Sequence, residues 1–224
     1  MDSMKLHKPN LLQRGVLFGA LTVLGTAIDL WTKEQTFRQK GLPGEQEPSW
    51  WIENLWGGYA GIETAINQGA LFGLGQGYGW LFALVSIVAI TGMILWLFVG
   101  KACESLWLTI TMGLIAGGIL GNLYDRLNMH GLPGPFAGGV RDWVLLRYRS
   151  GTDEYTWPNF NIADALLVAG AILLGIYSFL YPTHDGKESP ESRFSKDATV
   201  GNETKVATDK SVATDANAIK VQLR

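Results

Sequence analysis

The chain has 224 residues, 47% of them hydrophobic and only 17% charged, with nine Trp and a formal net charge of -2. Charged residues are about a quarter of a typical soluble domain, so this depletion points to a bilayer as solvent. The near-neutral balance gives no basis for nucleic-acid binding, and the single Cys103 excludes an internal disulfide or a cysteine-rich zinc cluster.

Four apolar runs approach the roughly 20 residues that cross a bilayer: about Leu11 to Leu30, Tyr78 to Val99, Ser105 to Tyr124 and Ile162 to Tyr181. Lys5, Lys8 and Arg14 precede the apolar stretch of the first, which has signal-peptide character. With no small-x-small cleavage site behind it and three more spans ahead, it reads as a retained helix. It ends in Asp29-Leu-Trp-Thr-Lys33, where acid and base four apart form the favoured helical ion pair.

A long loop over 32–77 follows. Its Tyr59 to Asn67 segment is β-branched and alternating, which predicts short strands. Trp50, Trp51 and Trp56 suit either the headgroup layer or the core of a small subdomain. The second and third spans are joined by a few residues around Gly100 to Glu104 and form a hairpin. Gly113, Gly117 and Gly121, with Gly118 beside them, mark a face for close helix packing.

A second long loop, 126–160, carries Gly131-Leu-Pro-Gly-Pro135, Val140-Arg-Asp142, Arg147 and Arg149. The fourth span opens on Asn161, an N-cap candidate, with Asp164 at capping-box spacing. Beyond Thr183 the chain is polar, almost without aromatics, and repeats Val-Ala-Thr-Asp at 206–209 and 212–215. Such a composition cannot bury a core. The expected organisation is a four-helix membrane domain over 1–182 and a disordered polar tail over 183–224.

Four spans place both termini on one side and both long loops on the other. Lys and Arg counts near the membrane tie at seven on each side, so the basic N-terminus decides for cytoplasmic termini. The relative geometry is firmer. Asp29, Asp125 and Asp164 all fall at one membrane face, with Lys33 and Arg126, and no acid falls in mid-span.

Asn122-Leu-Tyr-Asp125 ends one helix and Asn161-Ile-Ala-Asp164 opens the next. Carboxylates this close to hydrocarbon are costly, and two that converge can share a proton as a hydrolytic pair does. Each also has a plainer reading: Asp125 as an interfacial salt bridge with Arg126, Asp164 as part of a helix cap. The histidines His7, His130 and His184 offer no Ser-His site, no zinc motif is present, and Lys33 has no serine partner at an apolar helix end. A transporter would place its acids near the midplane. A non-catalytic tetraspan scaffold is the third alternative.

In order along the chain, Asp29-Leu-Trp-Thr-Lys33, Asn67-Gln-Gly-Ala-Leu-Phe72, Gly117-Gly-Ile-Leu-Gly-Asn-Leu-Tyr-Asp-Arg126, Val140-Arg-Asp142 and Phe160-Asn-Ile-Ala-Asp164 resemble the motifs of the lipoprotein signal peptidase, or signal peptidase II, family. The resemblance covers about Gly25 to Tyr181. It implies an all-α polytopic membrane protein with four transmembrane helices and a small β-rich cradle on the outer face. It implies a bacterial inner-membrane aspartic endopeptidase that cleaves prolipoproteins before a diacylglyceryl-modified cysteine, with no cofactor or metal. The expected partners are the lipid-modified substrate and membrane lipid, and the chain is expected to act as a monomer. On this reading Asp125 and Asp164 are the catalytic pair. Asn67, Gly69, Asn122, Arg126, Asp142 and Asn161 support them or the substrate, and Asp29 with Lys33 is structural. Residues 127–139 and 147–157 look like inserted loops beside the site.

Overall fold

The computed structural model describes residues 10–69 and 77–181. The tail and the Ala70-Leu-Phe72 part of the Asn67 motif lie outside the described residues. Four helices are long and apolar enough to cross a membrane: α1 (Leu11–Lys40), α2 (Gly79–Ile94, continued by a wider π-type turn over Leu95–Val99), α3 (Leu106–Arg126) and α4 (Ile162–Leu180).

The hydropathy pattern ends α1 at Leu30, but the helix runs ten residues further, to Lys40. Hydropathy marks where hydrocarbon stops, not where helical hydrogen bonding stops. The segment Trp31 to Lys40 contains no Gly or Pro and carries Glu34 paired with Arg38 at 2.6 Å, an i,i+4 contact that supports the helix. Gly41 ends it at φ 73°, a left-handed turn that glycine adopts at no steric cost, with its N–H donating to Phe37 O at 3.0 Å. At the other end Asn10 caps the helix, its Oδ1 accepting Leu12 N–H at 3.0 Å.

α3 is the central helix: 56% of its apolar window is buried, against 11% in each of the others. Its glycines explain how. A Cβ on Gly117 would lie 3.2 Å from Thr22 O and 3.3 Å from the Cα of Gly25 on α1. One on Gly118 would meet Leu167 Cγ on α4 at 2.9 Å. The backbones approach closely because these side chains are missing. Thr26 Oγ1 then reaches across to donate to Gly117 O at 3.2 Å. Outward-facing Val16, Leu24, Val85, Val168 and Phe179 are exposed, as expected of side chains that meet lipid.

The loop regions build one antiparallel sheet in sequential order: β1 (Ser49–Leu55), β2 (Gly58–Asn67), β3 (Val140–Ser150) and β4 (Asp153–Phe160). β2 is the strand expected over Tyr59 to Asn67. The segment 147–157, expected as an inserted loop, is instead the outer part of the β3–β4 hairpin, turned at Gly151 with φ 62°. Cross-strand pairing, which depends on partners distant in sequence, overrides the local polar composition. The loop tryptophans do not form a core of their own: Trp51 and Trp56 are exposed, the latter 89%.

Candidate active site

The site lies where the end of α3, the start of α4, the upper part of α1 and the inner ends of β2 and β3 meet. It divides into two groups of carboxylates with different surroundings.

The first group is an ion-pair cluster. Lys33 Nζ lies 2.7 Å from Asp29 Oδ2 and 3.2 Å from Asp125 Oδ2, and donates to Asn122 Oδ1 at 3.0 Å. Lys33, Asp29 and Asp125 are fully buried. Asp29 Oδ1 accepts Ala163 N–H at 2.9 Å, so an acid from α1 supplies part of the cap of α4. The structural pairing expected of Asp29 and Lys33 is present, in the interior of α1 rather than at its end.

Asp125 is held on both oxygens. Arg141 donates from Nε and Nη2 to Oδ1 at 3.1 and 2.9 Å, and from its backbone N–H to Oδ2 at 3.0 Å. Arg141 Nη1 continues to Glu34 Oε2 at 3.1 Å. Two buried acids are thus matched by two buried cations, which offsets the cost of desolvating them. The plainer alternative, a salt bridge between Asp125 and Arg126, does not form, because adjacent helical residues point in different directions. Arg126 instead donates from Nη1 to Asn67 O at 3.1 Å and Gly138 O at 3.4 Å, and from Nη2 to Gly69 O. Its guanidinium sits 5.1 Å from the centroid of Phe82. Arg126 is therefore a clamp on the end of β2 and on the loop before β3.

The second group is Asp142 and Asp164. Asn161 joins them. Its Nδ2 donates to Asp142 Oδ1 at 2.6 Å, its backbone N–H to Asp164 Oδ2 at 3.1 Å, and its Oδ1 accepts Asp164 N–H at 3.0 Å. The last two bonds are the reciprocal pair of a capping box, so the cap geometry also fixes the Asp164 carboxylate. Asn122 Nδ2 donates to Asp164 Oδ1 at 2.9 Å. Among the described residues neither Asp142 nor Asp164 has a Lys or Arg in ion-pair contact. Burial, followed by the charge of Asp164, pushes the Asp142 carboxyl up to about 8. Asn67 adds a side-chain hydrogen bond to Asp142, and Asn67 Oδ1 accepts Gly69 N–H at 3.0 Å.

The expectation that Asp125 faces Asp164 as its proton-sharing partner does not fit this geometry. Asp125 is saturated by Lys33 and Arg141, and the carboxylate electrostatically coupled to Asp164 is Asp142, expected only as support. The sequence does not single out Arg141 or Glu34. Glu34 sits on a stretch of α1 that reads as loop by hydropathy, and Arg141 counts only as one more loop cation until the fold places it against Asp125. His130 is not in either group. Leu132 N–H donates to Nδ1 at 2.9 Å and Nε2 lies 3.1 Å from Gly139 O. Burial lowers its pKa, so it is a neutral clip for the 131–139 loop. Among the described residues no three His, Cys, Asp or Glu side chains are grouped to hold a metal ion.

A family model described as Signal peptidase (SPase) II matches residues 21–180. The lipoprotein signal peptidase of Rhodopirellula baltica is 50% identical over 196 residues, covering 84% of this chain and 85% of that protein. That of Geobacillus thermodenitrificans is 34% identical over 170 residues, covering 76% of this chain and 94% of the relative. A solved structure described as a bacterial membrane enzyme superposes with a TM-score of 0.57 at 24% identity, covering 80% of this chain and 99% of its own. It supports the helical membrane fold with its small sheet. The profile match spans most of the chain, and it includes both carboxylate groups and the asparagines between them: the chain belongs to the signal peptidase II family.

Proposed function

We propose that the chain is a membrane protease that removes signal peptides from prolipoproteins, with Asp142 and Asp164 as its catalytic pair. Family membership supports the reaction class. The observation that carries the residue assignment is the contrast between the two acid groups. Asp125 has a cation on each oxygen and no free lone pair to offer a substrate. Asp142 and Asp164 share Asn161, have no counter-cation in contact among the described residues, and repel one another enough to help hold Asp142 up at about 8.

At neutral pH one proton resides on the pair, mainly on Asp142. Asp164, the less buried of the two, then acts as the base that takes a proton from water. Asp142 acts as the acid that donates to the scissile amide. Asn161 and Asn122 keep the carboxylates oriented by amide hydrogen bonds that do not compensate their charge.

The substrate is a prolipoprotein cleaved before its diacylglyceryl-modified cysteine. Its acyl chains stay in the bilayer and fix the scissile bond at the depth of the α3 and α4 ends. The protein resides in a bacterial cytoplasmic membrane with both termini inside and the site at the outer face. Cys103 is buried and has no part in the reaction. The decisive experiment is cleavage of purified diacylglyceryl-modified prolipoprotein by wild type, Asp142→Asn, Asp164→Asn and Asp125→Asn. Loss in the first two variants, with cleavage retained by folded Asp125→Asn, supports the assignment. Cleavage by folded Asp142→Asn at the wild-type rate overturns it.

A further inference from the structure

The outer half of the sheet has two chemically opposite faces, and the strand register says which residues share each. β3 alternates regularly from Val140 to Tyr148, because the extra residues at the irregular positions lie on β2 and β4. Residues directly opposite across a ladder project from the same face. One row across the sheet is Ile52, Ala60, Leu146 and Trp157, and the next is Leu55, Gly58, Tyr148 and Tyr155. Neither row contains a charge. Leu146, Tyr148, Ile52 and Leu55 are exposed, and Tyr155 and Trp157 are 64% and 61% exposed.

The other face holds the charges. Arg147 lies 5.1 Å over Trp50 and Arg149 lies 5.0 Å over Tyr59. Glu154 forms ion pairs with both, 3.1 Å from Arg147 Nε and 2.6 Å from Arg149 Nε, and accepts a hydrogen bond from Arg149. Ring stacking and the shared acid stabilise both cations on this face. Among the described residues, nothing covers the six exposed apolar and aromatic side chains opposite.

We infer that this apolar face of the β3–β4 hairpin, with its neighbours on β1, is an interfacial membrane anchor lying in the headgroup layer of the bilayer that the helices cross. Two observations select lipid as the occupant. By alternation along β3 the face is the one that carries Asp142, and Asp142 is bonded to Asn161 at the start of α4, where that helix begins its apolar span. The face therefore runs without a break outward from the helix end. Its chemistry also matches that layer, where Trp and Tyr rings are stable with one apolar body and one polar tip. Trp31, two residues from Asp29 on α1, is exposed as well. Apolar residues on one face and charges on the other make the hairpin the β counterpart of an amphipathic surface helix. The anchor would hold β3, and with it Asp142, at fixed depth relative to a lipid-borne substrate.

The test uses the full chain in lipid nanodiscs, with Cys103→Ser as background and an environment-sensitive fluorophore on Tyr155→Cys, Trp157→Cys or Thr156→Cys. Thr156 pairs with Arg147 and so lies on the charged face. Probes at 155 and 157 are expected to be blue-shifted, quenched several-fold more by shallow spin-labelled lipid than by aqueous iodide, while the probe at 156 shows the reverse. Equal iodide access at all three positions overturns the anchor. Shielding at 155 and 157 that arises only on adding a lipidated peptide also overturns it, and identifies the face as a peptide subsite. The readout is lipid contact, so it is independent of whether the protein cleaves.

Discussion

Lys33 and Asp125 form a fully buried ion pair, with Nζ 3.2 Å from Oδ2, between the middle of α1 and the end of α3. The same ammonium holds Asp29 at 2.7 Å. Removing one member of such a buried group leaves an uncompensated charge, which costs about 3–5 kcal/mol. Lys33→Met is therefore expected to lower thermal stability strongly in detergent. Unchanged unfolding of Lys33→Met would show that the cluster is not a structural requirement.

The two acid groups should separate by mutation. Asp142→Asn and Asp164→Asn each remove a proton-transfer group and should reduce processing by about 10²–10⁴-fold, with a folded protein in the membrane. Asp125→Asn should instead reduce the folded yield, because Arg141 and Lys33 lose a charged acceptor, while the surviving fraction keeps activity within about tenfold of wild type. Cleavage per folded molecule, measured on protein purified by size exclusion, distinguishes the two classes.

The pH dependence follows from Asp142. Its proton is retained in the folded protein up to about 8. Activity should therefore fall as pH rises through about 8, when the acid of the pair is lost. The stability effect has the same sign. The folded carboxyl holds its proton where the unfolded one, with an ordinary value of 3.8, has released it. Its contribution is fully present below that value and declines as pH rises to about 8. Unfolding temperatures from pH 4 to 9 should show a decline in wild type that is reduced in Asp142→Asn. Parallel curves for the two proteins would contradict the raised value.

Helix packing gives a stability series. A Cβ at Gly118 has Leu167 Cγ at 2.9 Å, whereas one at Gly19 meets nothing within 4 Å. Gly118→Ala should lower the melting temperature, since overpacking a tight contact costs about 1–3 kcal/mol. Gly19→Ala should be neutral or slightly stabilising through helix propensity. Equal effects would mean that the glycine face is not a close-packed seam.

Several local features are legible in the amino-acid order alone. The apolar runs place four helices, Asn161 and Asp164 at capping-box spacing form that box, and the glycines at spacing four face neighbouring helices. These are properties of short segments, and the residues that create them are close in sequence. The acids collect at one end for the same reason: helix direction alternates, so residues at alternate ends share a side.

The sequence by itself therefore determined the four spans, the capping box that opens α4 and the shared end at which the acids collect. Only the tertiary structure decided which carboxylates are neutralised and which are left coupled. Asp125 meets Arg141 across 16 residues and Lys33 across the α1–α3 contact, and no period or motif encodes those distances. Asp142 lies in a strand whose position depends on pairing with β2, far back in the chain. The length of α1 also escaped hydropathy, since helical hydrogen bonds continue past the point where the surroundings become polar. The chemical role of a carboxylate depends on its nearest charges, and those are fixed by packing rather than by neighbours in the chain.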